Sequence, residues 1–171
     1  VLAEATARNI PVGFVAVLVK DNVARLDALI DFLADLGAVA AKAELRVQPM
    51  LDNAARCAEQ NVFAACSEAE ICAHLDRACA QAKKRGMTLL VEPINGRDMP
   101  GYLVGRQHQA RRIVDAVAMA NCRIQFDIYH CQNAEGDLAR HFEAQLPEIG
   151  HIQIADNPGR HEPGTGEINF P

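Results

Sequence analysis

A chain of 171 residues, half of them apolar, can bury one substantial core, so a single domain is expected. Charged residues at 23% and a mean hydropathy of -0.04 are ordinary for a soluble globular protein. The net charge of -5 works against nucleic acid as a partner, since neutralising phosphates needs a basic surface, and no apolar run approaches the roughly 20 residues of a membrane span.

The start, Val1-Leu2-Ala3-Glu4, has no basic stretch followed by an apolar one, so no secretory signal is expected. Cysteines stand at 57, 66, 72, 79, 122 and 131 without a C-x-x-C pair. That argues against structural zinc and for packed, reduced thiols in a cytoplasmic protein.

In chain order, Pro11 to Val19 reads as a buried strand, continuous in apolar character. Val23 to Leu36 has Leu26, Leu29, Ile30 and Leu33 at helical spacing, and Gly37 suits the stop. The stretch to about Gln60 is Ala-rich and predicts helix in places, broken at Pro49. Val62 to Cys66 reads as a short strand. Ser67 and Glu70 form a capping box opening a helix with Ile71, Leu75 and Cys79 on one face. Lys83, Lys84 and Arg85 suit the negative end of that helix, and Gly86 its stop.

Met87 to Glu92 is then a strand, and a helix is predicted from about Arg106 to Ala120 with Ala110, Ile113, Val114 and Val117 inward. Cys122 to Ile128 is a strand. Gly136 to Leu146 is a helix with Leu138, Phe142 and Leu146 spaced four apart. His151 to Ala155 is a strand, and Pro158 to Pro171 a Gly/Pro-rich loop. Strand and helix in alternation predict an α/β fold with a parallel sheet and right-handed crossovers.

In such folds the binding groups gather at the carboxyl ends of the strands. Glu92, Asp127 and Gln153 each lie at or near such an end, and strand parity lets all face one interior. Two carboxylates and an amide oxygen are a hard donor set, suited to magnesium or manganese rather than zinc. The plain alternative is that they are solvated loop residues.

The runs Glu92-Pro93-Ile94-Asn95 with Arg97 to Tyr102, Gln125-Phe126-Asp127-Ile128-Tyr129-His130, and His151 to Asp156 with Pro158 to Asn169 resemble, in order and spacing, segments of the hydroxypyruvate isomerases. The likeness is firm from about Ser67 to Pro171. It implies a (β/α) TIM barrel of the xylose-isomerase-like type and interconversion of hydroxypyruvate and 2-hydroxy-3-oxopropanoate. Proton transfer would run through an enediolate with a divalent metal, Mg or Mn, as cofactor. Carried over by motif, Glu92 is a catalytic acid–base residue and metal ligand, Asp127 and Gln153 are metal ligands, and His130 and Arg160 bind the substrate's oxygens. A strand-end cap for His130 and a solvated position for Arg160 are the plain alternatives. Asn95, Asp98, Tyr102, Asp156 and Glu167 match the pattern without an assigned role.

The chain departs from the family in two ways. A barrel of this kind typically takes about 250 residues, so residues 1–171 are expected to form one incomplete barrel domain. The last strands, with the second glutamate of the proton relay, are expected to lie outside it. From about Gly13 to Cys66 the family's loops have no counterpart, and the first strand–helix unit is expected to be absent. Weak or no activity is therefore expected of the isolated chain. The partner is expected to be a small hydroxy-keto acid, with no nucleic acid, no membrane and a possible homo-oligomer. The other readings are an isomerase of a four-carbon 2-oxo acid (a 2-oxo-tetronate), a metal-dependent abasic-site endonuclease on the same barrel, and a non-catalytic remnant.

Overall fold

Five parallel strands lie side by side in chain order: β1 (Gly13–Leu18), β2 (Glu44–Pro49), β3 (Thr88–Val91), β4 (Cys122–Asp127) and β5 (Ile149–Gln153). The structure is a computed structural model and describes residues 2–8, 13–18, 24–37, 44–49 and 67–170. The helices are α1 (Leu2–Ala7), α2 (Leu26–Asp35), α3 (Glu68–Lys84), α4 (Gln107–Val117), α5 (Ile128–Ala134) and α6 (Leu138–Gln145). Parallel neighbours cannot be joined by tight hairpins, so each connection must cross a face of the sheet.

The helices earn their places by their apolar stripes. In α2, Leu26, Ile30 and Leu33 are buried; in α3, Ile71, Leu75, Ala78, Cys79 and Ala82; in α4, Ala110, Ile113, Val114 and Val117. These pack with Leu45, Val47, Leu89, Val91, Cys122 and Ile124 of the strands into one core on the outer face of the sheet. The start of α3 is sealed as its sequence requires. Glu70 N–H donates to Ser67 Oγ at 3.2 Å, and Ser67 N–H donates to Glu70 Oε2 at 2.8 Å. A cap of this kind is worth about 1 kcal/mol.

Four elements differ from the sequence expectation, the first being β1, expected as a buried strand but with Val15 50% exposed. The Ala-rich stretch predicted as partly helical contains strand β2. Its Leu45 and Val47 are buried while Glu44 and Arg46 are half-buried, a period of two, and it pairs with β1 and β3. Sheet pairing overrides the local helix preference of the alanines around it, and Pro49 closes the strand, where a missing N–H is tolerated. The strand expected at Val62 to Cys66 lies outside the described residues. Third, the helix expected to run to Leu146 ends at Gln145, and Leu146, 55% exposed, heads a 3-10 turn, Leu146–Glu148. Fourth, the short helix α5 follows β4 without a linker, because Asp127 serves as its N-cap.

Strand β5 carries one irregularity that matters for the site. Ile124 pairs with Ile149 and then Gln125 with His151, so Gly150 is an extra residue on β5. A Cβ there would lie 2.7 Å from Arg123 Cβ and 2.8 Å from Leu90 Cδ2, which only glycine avoids.

Candidate metal centre

The register of the sheet assembles the site. Val91 pairs with Ile124, so Glu92, the next residue, draws level with Gln125, and Asp127 pairs with Gln153. Glu92 and Asp127 are 2% and 1% exposed, yet both are carboxylates. Charges that deeply buried need partners.

Asp127 divides its two oxygens. Oδ1 accepts the backbone N–H of His130 at 3.1 Å and so caps α5, while Oδ2 accepts from Arg160 Nη2 at 2.7 Å. Glu92 Oε1 accepts from the buried amide of Gln125, whose Nε2 is 2.6 Å away.

The amide of Gln153 sits between the two carboxylates. One of its terminal atoms is 3.0 Å from Asp127 Oδ2 and 3.3 Å from Glu92 Oε1; the other is 2.7 Å from Arg46 Nη1. The amide meets a donor at each end: with its oxygen at the carboxylate end it accepts from Gln125 Nε2 at 2.8 Å, and with its oxygen at the other end it accepts from Arg46 while the nitrogen donates to both carboxylates. In the first orientation the amide presents its oxygen to the carboxylates, held there by Gln125. The two separations from the Gln153 atom, 3.0 and 3.3 Å, are close to the edge of an octahedron, about 3 Å when each arm is about 2.1 Å. The donor set therefore fits a hard divalent cation.

His130 is also close: ligand atoms of Glu92, Asp127 and His130 all lie within 4.8 Å of one another. Its tautomer suits a different task. Asn95 Nδ2 is 2.7 Å from His130 Nδ1, and the backbone N–H of Asn95 donates to the same nitrogen at 3.4 Å. The orientation of the Asn95 amide is set by its Oδ1, which accepts from Asp98 N–H at 2.9 Å. With two donors aimed at it, Nδ1 must be the acceptor, and the ring proton sits on Nε2, 3.9 Å from Asp127 Oδ2. Burial pushes the imidazole's pKa down, with the charge of Asp127 opposing, so the ring is held neutral. In this tautomer the ring offers a hydrogen-bond donor towards the site, and it could hold a metal ion through Nε2 only after the proton moved to Nδ1.

Arg160 reaches Asp127 from a loop tied by one carboxylate. Asp156, fully buried, accepts backbone N–H groups from Asn157 (2.8 Å), Gly164 (2.9 Å), Gly166 (2.9 Å) and Ile168 (3.1 Å). Burial pushes its pKa up, but the four donors outweigh it and hold the group below its ordinary value. The guanidinium of Arg160 lies 5.5 Å from the centre of the Tyr129 ring. The Tyr129 hydroxyl donates to Asp98, which with burial raises the tyrosine's pKa. Asn133 Nδ2 donates to the same Asp98 oxygen at 3.0 Å.

All five residues singled out from the sequence, Glu92, Asp127, His130, Gln153 and Arg160, thus converge on one place. Arg160 differs from its expected posture, since it is bound to Asp127. Sequence reasoning missed Arg46, Gln125 and the roles of Asn95 and Asp156. Gln125 shares strand parity with Asp127, and Asn95 lies three residues past Glu92, so both had a positional signal. Arg46 has none, because the Ala-rich composition of its segment predicts helix.

The family model of the xylose isomerase-like TIM barrel matches residues 15–171. The chain belongs to that family. The match begins well before Ser67, so β1 and β2 share in the xylose isomerase-like barrel even where its motifs are not recognisable. Among curated relatives, the 2-oxo-tetronate isomerase of Cupriavidus necator is 51% identical over 94 residues, covering 55% of this chain and 36% of the relative. The hydroxypyruvate isomerase of Escherichia coli is 46% identical over 97 residues, covering 57% and 38%. This barrel chain therefore aligns with little more than a third of the length of either relative. Among solved structures, one described as an AP endonuclease, family 2, from Brucella melitensis superposes with a TM-score of 0.81 at 28% identity, covering 98% of this chain and 67% of that one.

Proposed function

We propose that this chain carries the cation site and one acid–base carboxylate of an isomerase that interconverts hydroxypyruvate and 2-hydroxy-3-oxopropanoate. The observation that carries the reading is the spacing of the Glu92, Asp127 and Gln153 donor atoms, 3.0 and 3.3 Å around Gln153, at the ends of three neighbouring strands. Glu92, Asp127 and Gln153 would hold Mg or Mn, which supplies positive charge to stabilise the oxygen charge that develops as a proton leaves the neighbouring carbon.

The chain's own groups divide the remaining work. Glu92 serves as one of the two acid–base groups that move the proton between neighbouring carbons, its carboxylate aimed by the hydrogen bond from Gln125. His130 donates from Nε2 to a substrate oxygen, with Asn95 fixing that tautomer. Arg160 has the planar fork that suits the substrate's carboxylate. A small anionic substrate is the partner this constellation favours, and the net charge of -5 speaks against DNA. Buried, unpaired Cys79, Cys122 and Cys131 accord with a reducing, cytoplasmic setting. Burial raises the Cys131 thiol to about 12.

A second reading, an isomerase of a 2-oxo-tetronate, is favoured by the 51% identity to the Cupriavidus relative. Weak turnover is expected of this chain, so an assay at high protein concentration with Mn present, offering hydroxypyruvate and a 2-oxo-tetronate in turn, separates the two. The first reading expects hydroxypyruvate to turn over faster, with turnover lowered by about 10²–10⁴-fold in Glu92→Gln. Preference for the four-carbon acid selects the second, and turnover of either substrate that is unchanged in Glu92→Gln rejects both. Retention on abasic-site DNA at physiological salt would point instead to the activity for which the Brucella structure is named.

A further inference from the structure

Asp127 has one oxygen to offer a cation. Oδ1 is committed to capping α5 through the His130 N–H, and the oxygen that faces Gln153 is Oδ2. Oδ2 is also the oxygen that holds Arg160 Nη2 at 2.7 Å. We propose that Arg160 is an internal competitor of the cation: it neutralises Asp127 in the cation-free protein and must leave Oδ2 for a divalent ion to bind tightly.

The physics is a conflict of like charges on one ligand atom. A cation about 2.1 Å from Oδ2 and a guanidinium nitrogen 2.7 Å from the same oxygen would place two positive centres within about 5 Å of each other. Asp127 is 1% exposed, so solvent and salt screen this repulsion weakly. Without either positive group, the buried carboxylate of Asp127 would face that of Glu92 across the Gln153 amide. Arg160 therefore stabilises the protein before the cation arrives and opposes it afterwards.

The side chain is placed to leave. Arg160 is 44% exposed, its backbone sits at φ 60°, and its loop is anchored by Asp156 rather than by the guanidinium itself. Once released, the same fork is free for an anionic group. A carboxylate that draws Arg160 away from Asp127 thereby raises the affinity for the cation, and linkage requires the converse. The inference rests on the cation site proposed above, but it concerns order and coupling rather than the reaction.

Titration calorimetry with Mn²⁺ alone tests it on the whole chain, comparing wild type with Arg160→Gln and with Arg140→Gln. Arg140 is exposed on α6, so its variant removes the same unit of charge away from the site. Arg160→Gln is expected to bind Mn²⁺ roughly tenfold more tightly, within the 5–150-fold range usual for coupled sites, with Arg140→Gln unchanged. Equal or weaker binding by Arg160→Gln, with far-UV circular dichroism and Tm showing a folded protein, overturns the inference while leaving the cation site standing. Equal tightening in both variants also overturns it, as an effect of net charge. Absence of Mn²⁺ binding in all three proteins removes the site and the inference together.

Discussion

Asn95 faces His130 with two donors, its side-chain Nδ2 at 2.7 Å and its backbone N–H at 3.4 Å, both aimed at Nδ1. This pair decides which ring nitrogen carries the proton and therefore what His130 can do. A partner one shell out from the chemistry commonly changes activity by about 10–100-fold when altered. In Asn95→Asp the new carboxylate accepts a hydrogen bond, so the ring proton moves to Nδ1 and Nε2 becomes a lone pair facing Asp127. Turnover is expected to fall by roughly 10–100-fold. The nitrogen-15 shifts of the His130 ring report the switch, and unchanged shifts would contradict the assignment.

Glu92→Gln keeps the shape and the contact with Gln125 but removes the base and one cation ligand. Turnover is expected to drop by about 10²–10⁴-fold, with Mn²⁺ binding weakened in parallel. Thermal stability in the absence of metal should hold or rise, because a buried carboxylate is lost and its desolvation cost with it. Steady-state kinetics and a melting curve on the same sample check both halves.

Asp156 ties stability to pH. Its folded pKa lies below the ordinary carboxylate value despite burial, because four backbone N–H groups favour the charged form. The folded state therefore binds that proton less readily than the unfolded chain. The stabilisation is fully present above the unfolded pKa and is lost as pH falls through the lowered folded one. Asp156→Asn should melt at a lower temperature than wild type near neutral pH, and the gap should close in acid. A gap that stayed constant down to the lowest accessible pH would contradict the account.

Gly166 lies under the same knot. A Cβ there would stand 2.2 Å from Asn157 O and 2.6 Å from Asp156 Oδ1, so Gly166→Ala must push the loop open. Overpacking of this kind costs about 1–3 kcal/mol. Because the loop carries Arg160, KM for the substrate should rise more than kcat falls.

Much of this was legible in the sequence, for identifiable reasons. Helices with an uninterrupted apolar stripe and a cap, such as the Ser67 helix with Ile71, Leu75 and Cys79, announce themselves because periodicity and capping point the same way. Strand β2 was hidden because its two apolar residues, Leu45 and Val47, sit among alanines, and only pairing with β1 and β3 makes them a strand. Strand ends carrying Glu92, Asp127 and Gln153 suggested a shared interior, since parallel strands in register place their ends together. The Arg160–Asp127 pair spans 33 residues and depends on a loop folded around Asp156, so no local pattern could reveal it. The short helix α5 was invisible for a related reason: one aspartate both ends a strand and caps a helix.

The most direct measurement is an anomalous difference map from a crystal of the protein soaked in Mn²⁺. A single peak is expected about 2.1 Å from oxygens of Glu92, Asp127 and Gln153, with the Gln153 amide turned to present its oxygen and His130 Nε2 left as a donor. A peak ligated by His130 instead of Gln153, or none between β3, β4 and β5, would contradict the account.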